Sequence, residues 1–89
     1  MLVRQDGAGA TVLPTPDWGA AKTVLVRWSC SGKGGVRVGD EAKPMAYTGG
    51  CDPGVFYGAS MSIAKAKTVK AWRIGTAPAV RWRVAIVAE

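Results

Sequence analysis

The strongest structural signal in the chain is the stretch VRWRVAIVAE, which occupies residues 80–89. Apolar residues stand at every second position, namely Val80, Trp82, Val84, Ile86 and Ala88. Because side chains on a β-strand point alternately to its two faces, this period of two predicts a strand with one apolar face. Arg81 and Arg83 fall at the intervening positions, so the other face of the strand is partly basic.

The same alternation occurs in KTVLVRWSC, residues 22–30, where positions 24, 26, 28 and 30 form an apolar face. Residues 31–35 read SGKGG, and glycine supplies the positive φ angles that a tight turn requires. Val36-Arg37-Val38 then alternates again. We therefore predict a β-hairpin in which residues 36–38 form the returning strand.

The middle of the chain adds further short strands. Residues 45–48 and 55–64 are predicted strands, the second because apolar and small residues alternate over ten positions. Residues 65–75 fit either a strand or a helix with Ser60 as N-cap and Gly75 as its stop, and their β-branched and aromatic residues favour the strand. Short strands separated by turn residues are typical of a small antiparallel β-sandwich or barrel, so we predict an all-β fold of about seven strands.

The first 20 residues have a different character. Gly7–Ala10 is rich in glycine, Thr11–Leu13 could form a short edge strand, and Pro14 and Pro16 keep the chain extended. We therefore divide the chain into an extended N-terminal arm, residues 1–20, and a β-sandwich domain, residues 21–89.

Two cysteines and four tryptophans provide the remaining structural evidence. Cys30 and Cys51 stand at strand–turn boundaries, which favours a disulfide over two reduced thiols and implies an oxidising setting. Three of the tryptophans, Trp28, Trp72 and Trp82, fall on predicted inward faces. Trp18 lies outside any strand, so it is predicted either to anchor a partner or to cap the open end of the sandwich.

Charge points to an anionic partner. The chain carries a net charge of +6, and residues 53–89 hold six of its twelve bases but a single acid, Glu89. Arg27, Arg37, Arg81 and Arg83 are predicted to face outward and would form a basic ladder if their strands adjoin. Phe56 and Tyr57 could add stacking groups for single-stranded nucleic acid. The alternative is a solvated face that keeps the protein soluble.

The composition argues against catalysis. The chain contains no histidine, which excludes a Ser-His-Asp or Cys-His arrangement and any histidine-ligated metal. We expect a protein that is not an enzyme and that has no cofactor and no metal site. The first residues show no apolar signal segment, and no apolar run of the chain is long enough to span a membrane. We therefore expect either the mature part of a secreted protein behind an added Met1, or a chain that is made and left in the cytoplasm, which would fit a protein released by lysis.

The run Trp28–Val38, together with Cys51-Asp52 and Arg81–Val84, resembles small β-sandwich domains of actinobacterial exported proteins and lipoproteins. This resemblance implies a disulfide-bonded sandwich used for binding or display. The Ala/Gly/Val-rich β-domain with an extended arm is also similar to capsid decoration and accessory proteins of phages that infect GC-rich hosts. The second resemblance implies a protein without a leader that meets an oxidising medium after lysis.

These observations predict a non-enzymatic structural or binding protein at the virion surface. It would dock on a protein assembly, as a homo-oligomer or in many copies, through the arm and a basic face. The predicted partner-binding residues are Trp18, Arg27, Arg37, Arg81 and Arg83. One alternative is a secreted actinobacterial domain that binds an anionic envelope polymer or a protein, and a second is a β-barrel that binds single-stranded nucleic acid.

Overall fold

The computed structural model describes residues 2–14, 17–39, 44–52, 54–69 and 71–89. Eight strands and one short helix follow in chain order: β1 Leu2–Ala8, β2 Thr11–Val12, β3 Thr23–Ser31, β4 Val36–Gly39, β5 Pro44–Thr48, β6 Tyr57–Ser62, α1 Ile63–Ala66, β7 Arg73–Gly75 and β8 Arg81–Ala88.

The strands form two four-stranded antiparallel sheets. The first sheet has the order β1-β8-β3-β6, and the second has the order β2-β7-β4-β5. The two sheets are not closed into a barrel, so the protein is an all-β sandwich. The predicted fold class is confirmed, whereas the barrel form of that prediction is not what the chain adopts.

The two strands with the clearest alternation lie at the centre of the first sheet. β3 and β8 pair along their length, from Val24 opposite Ala88 to Ser31 opposite Arg81. Every second residue of both strands is buried, in the order expected from the sequence. Alternation identified these strands because one face of each packs on the core and the other faces solvent.

The predicted hairpin after β3 is wrong. A turn does follow β3, with Gly32 at φ +119° and Gly34 at φ +125°, but β3 belongs to the first sheet and β4 to the second. The chain therefore crosses from one layer of the sandwich to the other at this turn. Period-two alternation specifies the face that each strand buries and not the strand with which it pairs.

The N-terminal residues belong to both sheets and do not project from the sandwich as an arm. β1 pairs with β8 over seven residues, from Leu2 opposite Val87 to Ala8 opposite Arg81. β2 then pairs with β7 and forms an edge of the second sheet, close to the predicted short edge strand. The glycine-rich segment between these strands carries the chain from the first sheet to the second. Its Gly9 has φ +72°.

The ambiguous segment after β6 contains both predicted structures. α1 is a single helical turn, and its N-cap is Ser62, whose hydroxyl accepts a hydrogen bond from the Lys65 amide, instead of the expected Ser60. The short strand β7 follows and contributes the fully buried Ile74 to the core.

The core lies between the two sheets and is rich in valine and tryptophan. Trp28, Trp72 and Trp82 are all buried, as predicted. Cys30 and Cys51 form the predicted disulfide, with their Cα atoms 5.3 Å apart. This bond joins the end of β3, in the first sheet, to the loop that follows β5, in the second.

Candidate binding faces

The outer face of the first sheet carries four exposed arginines, Arg4, Arg27, Arg81 and Arg83, and we call it the basic face. Arg4 and Arg27 both lie opposite Ala85, one on each side of it. Since neighbouring strands are about 4.8 Å apart, the Cα atoms of these two arginines are about 10 Å apart. The register therefore gathers arginines from three strands on one surface.

Small residues separate the arginines of the basic face. Arg27 lies between Ala85 and Gly58, and Arg81 and Arg83 lie opposite Ser31 and Ser29. Short side chains leave the surface between the guanidinium groups low and flat. The larger apolar side chains of this face, Leu25 and Val87, lie opposite each other in the row beyond Arg27 and Ala85, and the four arginines are exposed.

The charge of the basic face is largely uncompensated. Asp6 is the carboxylate of this face, at the position opposite Arg83. Across the described ranges, none of the four guanidinium groups makes a hydrogen bond or an ion pair. Guanidinium groups recognise carboxylates and phosphates through paired N–H donors, so this surface suits an anionic partner.

The structure divides the arginines that were predicted to form one ladder. Arg27, Arg81 and Arg83 lie together on the basic face, but Arg37 lies on the outer face of the second sheet. Arg4 joins the basic face and was not predicted, because residues 1–20 were assigned to an arm. Residues 2–5 read LVRQ and show no period-two alternation, so the local pattern gave no signal for this strand.

A groove of about 800 Å³ lies on the outer face of the second sheet, on the opposite side of the sandwich. We call it the second-sheet groove. Its charged and aromatic residues are Arg37, Arg73 and Tyr47, and its lining includes Gly39 and Gly75. Tyr47 is 71% exposed, which makes its ring available to a ligand.

Trp18, predicted as a partner anchor or a cap, is half-buried and packs against the core. Its ring meets Trp72 edge to face, with the centroids 5.7 Å apart. This position corresponds to the capping alternative, since the ring covers part of the sandwich interior.

The two aromatic residues expected to stack on nucleic acid are in different environments. Tyr57 is stacked on Trp28 inside the sandwich, with ring centroids 5.9 Å apart, whereas Phe56 is 78% exposed just before β6. The described part of the basic face carries no aromatic side chain. The arginines and the aromatic groups therefore do not form a common platform for bases.

Comparison with known proteins identifies no relative: no family model, curated protein or solved structure matches the chain. Within the described ranges, no helix has the length and apolar character needed to cross a membrane. The chain is a small disulfide-bonded antiparallel β-sandwich of two four-stranded sheets.

Proposed function

We propose that this protein is a non-enzymatic structural protein that docks on the acidic surface of a protein assembly through its basic face. The observation that carries the proposal is the clustering of Arg4, Arg27, Arg81 and Arg83 on one surface where, among the described residues, Asp6 is the one carboxylate. Carboxylate-rich protein surfaces match such a cluster in charge and in hydrogen-bonding geometry.

The shape of the basic face favours a protein surface as the partner. Alanine, serine and glycine separate the arginines, so on the described part of this face the charges are spread over a broad surface instead of converging on one point. Single-stranded nucleic acid binds through successive aromatic rings, and the described residues of this face supply none. A broad and flat contact of many weak ion pairs fits a protein displayed in many copies.

The setting that we propose is the surface of a virion, where the chain acts as a decoration or accessory protein. The Cys30–Cys51 disulfide supports a protein that works in an oxidising medium, because such bonds persist outside the reducing cytosol. With β1 and β2 built into the sheets, docking in this proposal depends on the basic face alone.

The experiment is sedimentation of the culture that naturally produces the protein, with the chain quantified by mass spectrometry in each fraction. We expect it to travel with particles of phage density at a fixed ratio to the major capsid protein. Recovery as a soluble or envelope-associated species would contradict the virion setting and favour a secreted domain.

Two single variants test the face itself. Arg27→Glu reverses a charge at the centre of the basic face, and Arg37→Glu makes the same change on the other sheet. We expect labelled Arg27→Glu protein to compete for sites on the particle at least about tenfold less well than wild type, because it repels the facing carboxylates. Arg37→Glu protein should compete as wild type does, and equal losses in both variants would refute docking through the basic face.

A further inference from the structure

The second-sheet groove is built from two rows of side chains that cross the sheet. In one row Tyr47, Arg37 and Gly75 are direct neighbours on β5, β4 and β7. In the next row Gly39, Arg73 and Val12 are neighbours on β4, β7 and β2. In each row the arginine stands in the middle, with a glycine on one side and a larger side chain on the other.

A glycine beside Arg37 gives the groove its depth. Arg37 and Arg73 are diagonal neighbours on adjacent strands, a relation that places Cα atoms roughly 7–8 Å apart. Arg37 has Gly75 as its direct neighbour, so the space above Gly75 is open to a ligand, whereas Gly39 beside Arg73 is buried. A carboxylate or phosphate that enters this space meets the guanidinium group of Arg37, and Arg73 lines the same groove.

Hydroxyl groups and an aromatic ring complete the lining. Thr48 and Thr76 line the groove, and their hydroxyls donate to the carbonyl oxygens of Gly50 and Ala77 at 2.9 and 2.7 Å. The oxygen of each hydroxyl retains lone pairs that can accept hydrogen bonds from a ligand. Tyr47 offers an exposed ring face and a phenolic hydroxyl at the end of its row.

We propose that the second-sheet groove binds an acidic saccharide, a sugar or short sugar chain that carries a carboxylate or a phosphate. The acidic group binds the guanidinium of Arg37, and the sugar ring lies against the neighbouring Tyr47. The sugar hydroxyls donate to the threonine oxygens that line the groove. A few placed polar groups and one ring in a concave site are the usual arrangement for small-ligand recognition.

Other anionic ligands fit the groove less well. A single strand of nucleic acid needs a succession of aromatic platforms, and Tyr47 is the sole aromatic residue among the described lining residues. An acidic peptide binds mainly by adding main-chain hydrogen bonds along an open sheet edge, whereas this groove crosses the face of the sheet.

The inference does not depend on the proposed docking function, because the two surfaces lie on opposite sides of the sandwich. Two glycines allow each surface to be blocked separately. The nearest atom to a Cβ added at Gly75, in the groove, is the Arg37 Cβ at 3.7 Å. The nearest atom to a Cβ added at Gly58, beside Arg27 on the basic face, is the Val26 carbonyl oxygen, also at 3.7 Å. Both are ordinary contacts.

The experiment is titration calorimetry of the oxidised full chain with tetragalacturonate, whose sugars carry carboxylates, and with glucose 6-phosphate, a sugar that carries a phosphate. Binding of either supports the proposal, and the tighter one identifies the acidic group. Gly75→Val should weaken that binding by about tenfold or more, because the added side chain occupies the floor of the groove. Gly58→Val, the matched control, should bind as wild type does.

Arg37→Gln and Tyr47→Ala keep the test valid if Gly75→Val fails to fold, since both replace exposed side chains. Each should weaken binding by about tenfold, the value of a charged hydrogen bond or a ring contact. Neutral maltotetraose should bind much more weakly than the acidic probes.

Three results would overturn the inference. The first is failure of both acidic probes to bind at millimolar concentration. The second is that Gly58→Val loses binding whereas Gly75→Val keeps it, which would assign the ligand to the basic face. The third is equal or tighter binding of oligothymidylate or polyglutamate. Failure of the groove would leave the particle-sedimentation result unaffected, because that experiment reports on the opposite side of the molecule.

Discussion

Trp82 and Trp28 occupy similar buried positions on the neighbouring strands β8 and β3 but differ in one hydrogen bond. The Trp82 indole N–H donates to the Gly9 carbonyl oxygen at 2.8 Å, which ties the N-terminal segment to the core. The Trp28 indole N–H has no hydrogen-bond partner among the described residues, and neither has that of Trp72. The two side chains therefore allow the contribution of the Trp82 hydrogen bond to be measured.

We predict that Trp82→Phe destabilises the protein by about 1–2 kcal/mol more than Trp28→Phe does. Both substitutions remove similar volume, but Trp82→Phe also leaves a buried carbonyl without its partner, whereas Trp28→Phe removes an unpaired donor. Urea denaturation of both variants measures the difference in free energy of unfolding. Equal losses, or a larger loss for Trp28→Phe, would contradict the role assigned to the Gly9 contact.

At the scale of elements, β1 is a strand of the first sheet, and its two faces should respond differently to the same substitution. Val3 lies opposite Ile86 and packs against the core, whereas Arg4 lies opposite Ala85 on the outer face. We predict that Val3→Asp costs about 1–3 kcal/mol of stability, because a carboxylate replaces a partly buried apolar group. Arg4→Asp, on the exposed face, should change stability by less than about 0.5 kcal/mol.

Thermal unfolding of these two variants separates a strand from an arm. An arm that projects from the domain would tolerate aspartate equally well at both positions. Closely matched midpoints for Val3→Asp and Arg4→Asp would therefore argue against the pairing of β1 with β8.

At the scale of the whole molecule, the disulfide fixes one sheet to the other. Cys30 and Cys51 are 21 residues apart in sequence, and in the chain-entropy model a loop of this size stabilises the folded state by about 3 kcal/mol. A domain of 89 residues has a small core, so this contribution is a substantial part of its stability.

We predict that the double variant Cys30→Ala/Cys51→Ala unfolds about 10–20 °C below the oxidised protein. Calorimetry with and without a thiol reductant measures the effect. The reductant should lower the midpoint of the wild-type protein and leave that of the double variant unchanged. An unchanged wild-type midpoint after complete reduction would contradict the prediction.

Alternation along the chain predicted what each strand buries but not which strands are neighbours. β3, β8, the buried tryptophans and the disulfide followed from local pattern, because each depends on residues close in sequence. The hairpin after β3 and the N-terminal arm did not, because pairing β1 with β8 depends on contacts between opposite ends of the chain. A single turn such as α1 is too short for its periodicity to be recognised.

The candidate binding faces were also predicted only in part. Period-two alternation predicted that Arg27, Arg81 and Arg83 face outward, and the structure shows all three exposed. Their separation from Arg37 follows from the order of the strands in the two sheets, which alternation along a single strand does not predict. The groove was not predicted, because its two rows bring together residues 12, 37, 39, 47, 73 and 75 from four different strands.

The pairing of Leu2 with Val87 also governs when the protein can fold. β8 lies between β1 and β3, so the first sheet cannot form until residues 81–88 have left the ribosome. Contacts between such distant residues form late, because the long intervening chain must first be brought together. Cys30 and Cys51 are therefore synthesised before the fold that holds them together can form, so the native structure directs their pairing only after translation has passed the last strand.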